Sequence, residues 1–239
     1  MKLNRRLFLL AGLSGAMAAT VTFFFKGRFF SRLVEETTHD EVLFHVNTTE
    51  KVIALTIDDG PHPELTPAIL DVLAEYDVPA TFFVIGSQVP GNEDLMRRIV
   101  AEGHELGNHL MSDKRSIGLD PDEFERQLAN AHRLITPFGP VRWFRPGSGW
   151  YNERMLQQIR PYNYRCVIGF VYPYDAQVHS VEFASSYILG NTVPGSIIIL
   201  HDGKEDRQAT VNILHWIIPA LQKRGYRFAT LSGLTQLQS

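Results

Sequence analysis

From residue 52 to the C-terminus, short apolar runs alternate with segments whose apolar residues recur at helical spacing. The runs are rich in β-branched and aromatic residues, as buried strands are, and the segments between them are amphipathic. The predicted strands are residues 52–57, 80–85, 104–107, 141–144, 166–171, 196–200 and 226–231. The predicted helices are residues 65–76, 95–101, 120–135, 152–160, 181–189 and 207–224. This alternation predicts an α/β fold of about seven strands, either a parallel barrel or an open doubly wound sheet.

Residues 1–30 have a different pattern. Three basic residues precede residues 7–25, which carry no charge and are long enough to span a bilayer. The pattern predicts a hydrophobic membrane anchor or, with cleavage at the small-x-small site Ala16-Met17-Ala18, a signal peptide. Arg5 and Arg6 also resemble the basic pair of a twin-arginine export signal. Each alternative places the rest of the chain outside the cytoplasm, and the length of the segment favours retention.

The composition limits the kind of protein. The chain has 239 residues, of which 44% are hydrophobic, so it can bury a full core. We predict a polar linker at residues 31–50 and one main domain at residues 51–239, expected to be a monomer. A formal net charge of -3 without charge blocks argues against a nucleic acid as partner. The single cysteine, Cys166, excludes a disulfide framework and a cysteine metal cluster, and we interpret it as an inert core thiol.

Polar, chemically capable residues follow the predicted strands at the points where the strands end. These residues are Asp58, Asp59, Asn108, His109, Arg145, Asp175, His201 and Asp202. In a barrel or a doubly wound sheet the carboxyl ends of parallel strands lie at one edge, where active sites form. The set therefore predicts an enzyme. The chain contains no GxGxxG or P-loop motif, so a nucleotide-binding fold has no support.

Two kinds of chemistry fit these residues. His109 and Asp113 lie four apart, a spacing that can place two ligands on one face of a helical turn. With Asp59 they would form a three-ligand metal site, although such a pair is by itself more often a surface pair or a cap. His201 follows an apolar run, and the carboxylates and Arg145 at the same rim favour a general acid over a structural histidine.

Five ordered segments resemble the motifs of the polysaccharide deacetylase family, also called the NodB-homology domain or carbohydrate esterase family 4. The resemblance extends from Val52 to Leu234. The matching segments are Thr56-Ile57-Asp58-Asp59, His109-Leu110-Met111-Ser112-Asp113, Arg145-Pro146-Gly147-Ser148-Gly149, Asp175-Ala176 and Leu200-His201-Asp202. Asp113 stands where the family has a second histidine, Ser148 where it has a tyrosine, and Ala176 where it has a tryptophan.

The resemblance implies the catalytic roles. Asp58 is the expected general base, and Arg145 orients it. His201 is the expected general acid, and Asp175 is its partner. The backbone N–H of Ser148 is expected to help hold the oxyanion.

The resemblance also implies a metal site and a fold. Asp59, His109 and Asp113 are the expected ligands of one divalent ion, with Zn²⁺ as the first choice and Mn²⁺, Co²⁺ or Mg²⁺ as alternatives. Leu200 is expected to belong to the pocket. The implied fold is a distorted parallel (β/α) barrel.

The implied reaction is metal-dependent hydrolysis of the N-acetyl group of an amino sugar in a glycan, either chitin-like or peptidoglycan. Two alternatives stay open. One is a catalytically silent carbohydrate-binding or scaffold protein on the same fold, and the other is a deacetylase that acts on O-acetyl esters.

Overall fold

A computed structural model describes residues 41–204 and 207–238. In this part of the chain, strands and helices alternate as the pattern predicts. The strands are β1 (Val42–Leu43), β2 (Val52–Asp58), β3 (Thr81–Val84), β4 (Glu105–Asn108), β5 (Val141–Phe144), β6 (Arg165–Val167), β7 (Ile197–His201) and β8 (Arg227–Ala229). The helices are α1 (Leu65–Glu75), α2 (Glu93–Ala101), α3 (Pro121–Ile135), α4 (Glu153–Ile159), α5 (Val181–Asn191), α6 (Gln208–Lys223) and α7 (Leu231–Thr235).

All strand pairs are parallel, and the sheet curls into an incomplete barrel. The strand order is β1-β6-β5-β4-β3-β2-β7, and β8 pairs with the beginning of β2. The backbone N–H of Val171 donates to the carbonyl oxygen of Ile197, so the segment after β6 reaches β7 at the other edge of the sheet. Of the two folds that the pattern allowed, the distorted parallel barrel is confirmed.

The alternation of side chains along the strands divides the core into two layers. In β2, Ile53, Leu55 and Ile57 pack under the helices, whereas Val52 and Ala54 face the barrel interior. Because successive side chains of a strand point to opposite faces, the interior set continues two residues at a time towards the carboxyl end. Interior residues Phe83, Trp143, Val167 and Ile197 come from four further strands. The same alternation places Asp58, Arg145 and His201 on the interior side at the barrel mouth.

The opposite end of the barrel is closed by α7. Leu231 and Leu234 of this helix are fully buried in the interior layer. The backbone N–H of Leu231 donates to Thr81 Oγ1, and that of Ser232 donates to Glu105 Oε2, each at 3.0 Å. These side chains satisfy donors at the helix N-terminus, so α7 is held as a plug beneath the site.

Some elements differ from the predictions. The predicted linker, residues 31–50, contributes β1, and Val42, Leu43 and Val46 are buried. This two-residue strand is too short to show a period in the sequence, so only its pairing with β6 identifies it. The predicted strand at 226–231 is shorter, because Thr230 caps the N-terminus of α7 through its side chain.

Residues 1–30, on which the expectation of export rests, lie outside the described residues. Export therefore stays a prediction. Among residues 41–204 and 207–238, no helix has the length and hydropathy of a membrane-spanning segment. Cys166 is buried, and burial raises the pKa of its thiol to about 12, in agreement with an inert thiol.

Gly107 gives a test of interior packing. A Cβ at this position would lie 2.6 Å from the Phe83 ring, which fills the barrel beneath the mouth. We expect Gly107→Ala to lower the free energy of unfolding by about 1–3 kcal/mol, because a packed aromatic ring must shift. Gly118→Ala is the matched control, since no atom lies within 4 Å of its added Cβ. Urea denaturation measures both, and equal stabilities for the two variants would contradict this account of the packing.

Candidate active site

An ion pair between Arg145 and Asp58 lies at the centre of the barrel mouth. Arg145 Nη1 is 2.6 Å from Asp58 Oδ1 and 2.8 Å from Thr56 Oγ1. Arg145 Nε donates to the carbonyl oxygen of Val167 at 3.2 Å, and the guanidinium lies 4.0 Å from the centre of the Phe83 ring. Both charged side chains are almost fully buried, so each needs the other as its counter-charge. The pair holds Oδ1 of Asp58, and Oδ2 takes no part in this contact.

A second pair is formed by Asp59 and His109. Asp59 follows β2 with a φ of 80°, which turns its side chain away from that of Asp58. His109 Nδ1 is 2.7 Å from the carbonyl oxygen of Arg145, which can only accept, so Nδ1 carries a proton and, whenever the ring is neutral, Nε2 carries the lone pair. Nε2 lies 3.5 Å from Asp59 Oδ1. Burial raises the pKa of Asp59, and the nearby His109 and His201 oppose that effect.

These two side chains fit a divalent cation. Asp59 Oδ1 is buried and accepts no hydrogen bond from the described residues. It faces the lone pair of His109 Nε2, so two acceptors lie opposite each other, an arrangement that a shared cation stabilises. A carboxylate oxygen and a neutral imidazole nitrogen are ordinary zinc ligands, and the bond from His109 Nδ1 to a carbonyl is the usual orienting contact of such a ligand.

The third predicted ligand, Asp113, does not join this pair in the structure. Its Oδ2 accepts a hydrogen bond from Lys204 Nζ at 3.1 Å. Among the described residues, no three His, Cys, Asp or Glu side chains are arranged to hold a metal ion. Residues 109–113 do not form a helical turn, because Leu110 has a φ of 62° and the segment is irregular.

His201 is held by Asp175. His201 Nδ1 is 3.0 Å from Asp175 Oδ1, and the backbone N–H of His201 donates to Asp175 Oδ2 at 3.0 Å. The carboxylate fixes Nδ1 as a protonated nitrogen, and Nε2 takes no part in this contact. Burial lowers the pKa of His201, but Asp175, with Asp58 and Asp59, raises it more, to about 9. A raised pKa favours the protonated ring at neutral pH.

The two predicted pocket residues differ in position. Ser148 is exposed at the mouth in a short helical turn, Gly147–Gly149, with a φ of 65°. Leu200 is fully buried in the layer beneath the helices. Since it neighbours His201 in β7, it has the opposite orientation, and its side chain does not line the mouth.

Several contacts at the site have no local signal in the sequence. The Tyr172 ring lies edge-on to His201, with 5.7 Å between ring centres. Asp202 is fully buried, packs against Gly60 in the turn after β2, and accepts a hydrogen bond from Thr66 Oγ1. Burial raises the pKa of Asp202 to about 7. Phe83, which supports Arg145, is an ordinary apolar strand residue in the sequence. A sequence pattern reports the type of each residue and not its partner.

Comparison with known proteins agrees with this geometry. Residues 45–167 match the sequence profile of the polysaccharide deacetylase family. A peptidoglycan-N-acetylglucosamine deacetylase of Bacillus cereus is 36% identical over 197 residues, which cover 81% of this chain and 92% of the relative. The chain belongs to the polysaccharide deacetylase family. Another relative, a chitooligosaccharide deacetylase of a Bradyrhizobium strain, is 37% identical over 196 residues, covering 76% of this chain and 90% of the relative.

Solved structures of this deacetylase family share the fold. A peptidoglycan N-acetylglucosamine deacetylase has a TM-score of 0.78 and 32% identity, covering 82% of this chain and 93% of that one. A family 4 acetyl xylan esterase of Clostridium thermocellum, in complex with a cobalt ion, has a TM-score of 0.73 and 32% identity, covering 78% and 91%. A pseudoenzyme of Bacillus anthracis has a TM-score of 0.76 and 26% identity, covering 84% and 70%.

The pKa of His201 gives a test of the environment of this side chain. Asp175→Asn keeps an oxygen that can accept from Nδ1 but removes the negative charge. We expect the pKa of His201 in the metal-free protein to fall by about one unit or more. The negative charge of Asp175, which raises this pKa, is then gone, and burial, which lowers it, remains. NMR titration of the imidazole measures this change. Asp113→Asn is the control, since Asp113 is absent from the groups that shift His201. A pKa that stays near 9 in Asp175→Asn would refute the assignment.

Proposed function

We propose that this protein is a metal-dependent hydrolase that removes the acetyl group from N-acetylated amino sugars of a poly- or oligosaccharide. Peptidoglycan and chitin-like oligosaccharides are the proposed substrates. The observation that carries the proposal is the convergence of two supported groups at one barrel mouth: Asp58 held by Arg145, and His201 held by Asp175. The names of the relatives support the same class of substrate.

Each group has a role in amide hydrolysis. Asp58 Oδ2 takes the proton of the attacking water, while Arg145 holds Oδ1 in place. His201 Nε2 donates a proton to the amine as it leaves, and the raised pKa keeps that proton available at neutral pH. The Ser148 backbone N–H donates to the acetyl oxygen as negative charge develops there.

A divalent ion would be held by Asp59 and His109, with Asp113 as the third ligand. When bound, it would supply Lewis acidity to the acetyl carbonyl and lower the pKa of water. Zn²⁺ is the first choice, because carboxylate and imidazole are among its usual ligands, and Mn²⁺, Co²⁺ or Mg²⁺ are alternatives for a site with two carboxylates. The acetyl xylan esterase with its cobalt ion supports a metal in this fold.

The competing proposal is a silent carbohydrate-binding protein, since a pseudoenzyme has a similar structure. Asp113, Ser148 and Ala176 depart from the family motifs. Against this alternative, both acid–base groups keep their supporting partners, which a protein that only binds glycans has no chemical need to keep. An ester specificity is tested by the choice of substrates below.

The proposed function predicts acetate release that depends on metal and on Asp58. Metal-loaded protein should release acetate from N-acetylglucosamine oligomers or peptidoglycan, and a chelator should abolish it. Asp58→Asn should keep metal binding and lower kcat by at least about 10²-fold, because an amide cannot accept the proton. Release from acetylated xylan alone would instead support the ester alternative. If folded, metal-loaded protein released no acetate from any of the three substrates, the silent alternative would replace this proposal.

The acid role of His201 predicts a dependence on the leaving group. His201→Ala should lower kcat by about 10²-fold or more for an N-acetyl amide, whose amine leaves only when protonated. It should lower kcat much less for an activated acetate ester, whose leaving group needs no proton. Steady-state kinetics with both substrates tests the contrast. Equal losses for the amide and the ester, in a folded and metal-loaded variant, would assign His201 to shaping the pocket.

A further inference from the structure

Lys204 lies across the barrel mouth from the segment that follows β4. It is the third residue after His201, and its neighbour Gly203 packs against Asp59, where an added Cβ would lie 2.3 Å from Asp59 Cβ. This close contact places the backbone of the turn beside the proposed metal ligands. From there, Lys204 Nζ reaches Asp113 Oδ2 at 3.1 Å. The ammonium therefore holds the carboxylate that the metal would need as a third ligand.

The charges at the mouth explain this contact. Three carboxylates, Asp58, Asp59 and Asp113, lie near one another. Arg145 is the counter-charge of Asp58, and Lys204 is the counter-charge of Asp113. Like charges at short range destabilise the fold unless a cation balances them. In the metal-free protein, Lys204 supplies part of the positive charge that a divalent ion would otherwise provide.

We propose that Lys204 is an internal competitor of the divalent ion, which lowers metal affinity by holding Asp113. This inference rests on the proposed metal site. Binding of the ion with three ligands requires the Asp113 carboxylate to leave the ammonium. The contact depends on aspartate at position 113, because a carboxylate accepts from an ammonium through a full opposite charge, whereas a neutral side chain does not. Lys204 thus lowers the affinity of the site for the divalent ion.

The expected effect is modest. The side chains of Lys204 and Asp113 are 54% and 37% exposed, so water screens their attraction. Removing the ammonium frees Asp113 and also removes a positive charge close to the ion. We expect Lys204→Met to bind Zn²⁺ or Co²⁺ about three- to tenfold more tightly than the wild-type protein, with the gain falling at high salt. Methionine keeps most of the length of the side chain at an exposed position, so the fold is retained.

Three further variants separate a direct contact from a general effect of charge. Lys114→Met is the matched control: it removes the same charge beside Asp113 in the chain, but from an exposed lysine whose charge acts on Glu123. It should change metal affinity by less than about twofold, the range of a screened surface charge. Asp113→Ala should bind metal more weakly than the wild-type protein. In the double variant, the added Lys204→Met should change affinity by less than about twofold, because Lys204 has lost its partner.

The measurement is metal affinity, obtained by titrating metal-free full-length protein with Zn²⁺ against a chromophoric chelator and with Co²⁺ by its absorption. A three- to tenfold gain in Lys204→Met that disappears without Asp113 supports the proposal. An unchanged affinity in Lys204→Met, with metal bound by the wild-type protein, overturns this inference and leaves the metal site intact. An equal gain with and without Asp113 also overturns it. Failure of the wild-type protein to bind either ion overturns the metal site and this inference together.

Discussion

The buried ion pair between Arg145 and Asp58 is the constraint on which the rest of the site depends. Removing a guanidinium and a carboxylate from water costs on the order of several kcal/mol for each ion, so every contact that offsets this cost must be in place. Arg145 follows β5, and its contacts come from Asp58 and Thr56 of β2, Val167 of β6 and Phe83 of β3. Four strands must therefore keep their relative positions for the pair to be tolerated.

The alternation of side chains along the strands keeps these positions fixed, because it forms the packed core and also orients the polar groups of the site. The interior-facing side chains are apolar near the middle of the barrel and polar at its mouth. Phe83 lies between these levels, and it needs the space that Gly107 leaves in the neighbouring strand. At the other end, α7 closes the barrel through contacts with Thr81 and Glu105. The mouth is consequently supported from below by packed side chains, and its polar groups keep their orientation.

The charge balance at the mouth follows from the same arrangement. Arg145 and Asp175 each neutralise one group of the acid–base pair, Asp58 and His201. In the Asp59–His109 pair, Asp59 Oδ1 is buried and accepts no hydrogen bond from the described residues. The partner of Asp113 is the exposed ammonium of Lys204. The proposed catalytic groups are thus held by short buried contacts, whereas Asp113, the proposed third metal ligand, is held by a contact that water weakens. In the proposed function, surface residues would therefore act on metal binding more than on acid–base chemistry.

The sequence by itself determined the alternation of strands and helices, the polar residues at the strand ends and the motif order, because these depend on residue type and local spacing. From them the parallel barrel, the family and the pairing of Arg145 with Asp58 and of Asp175 with His201 could be predicted. Tertiary structure decided that β1 joins the sheet and that Asp113 contacts Lys204, 91 residues away in the chain. It also decided that residues 109–113 are irregular, since Leu110 adopts a left-handed conformation. Such features depend on packing and charge between distant segments, which local spacing does not encode.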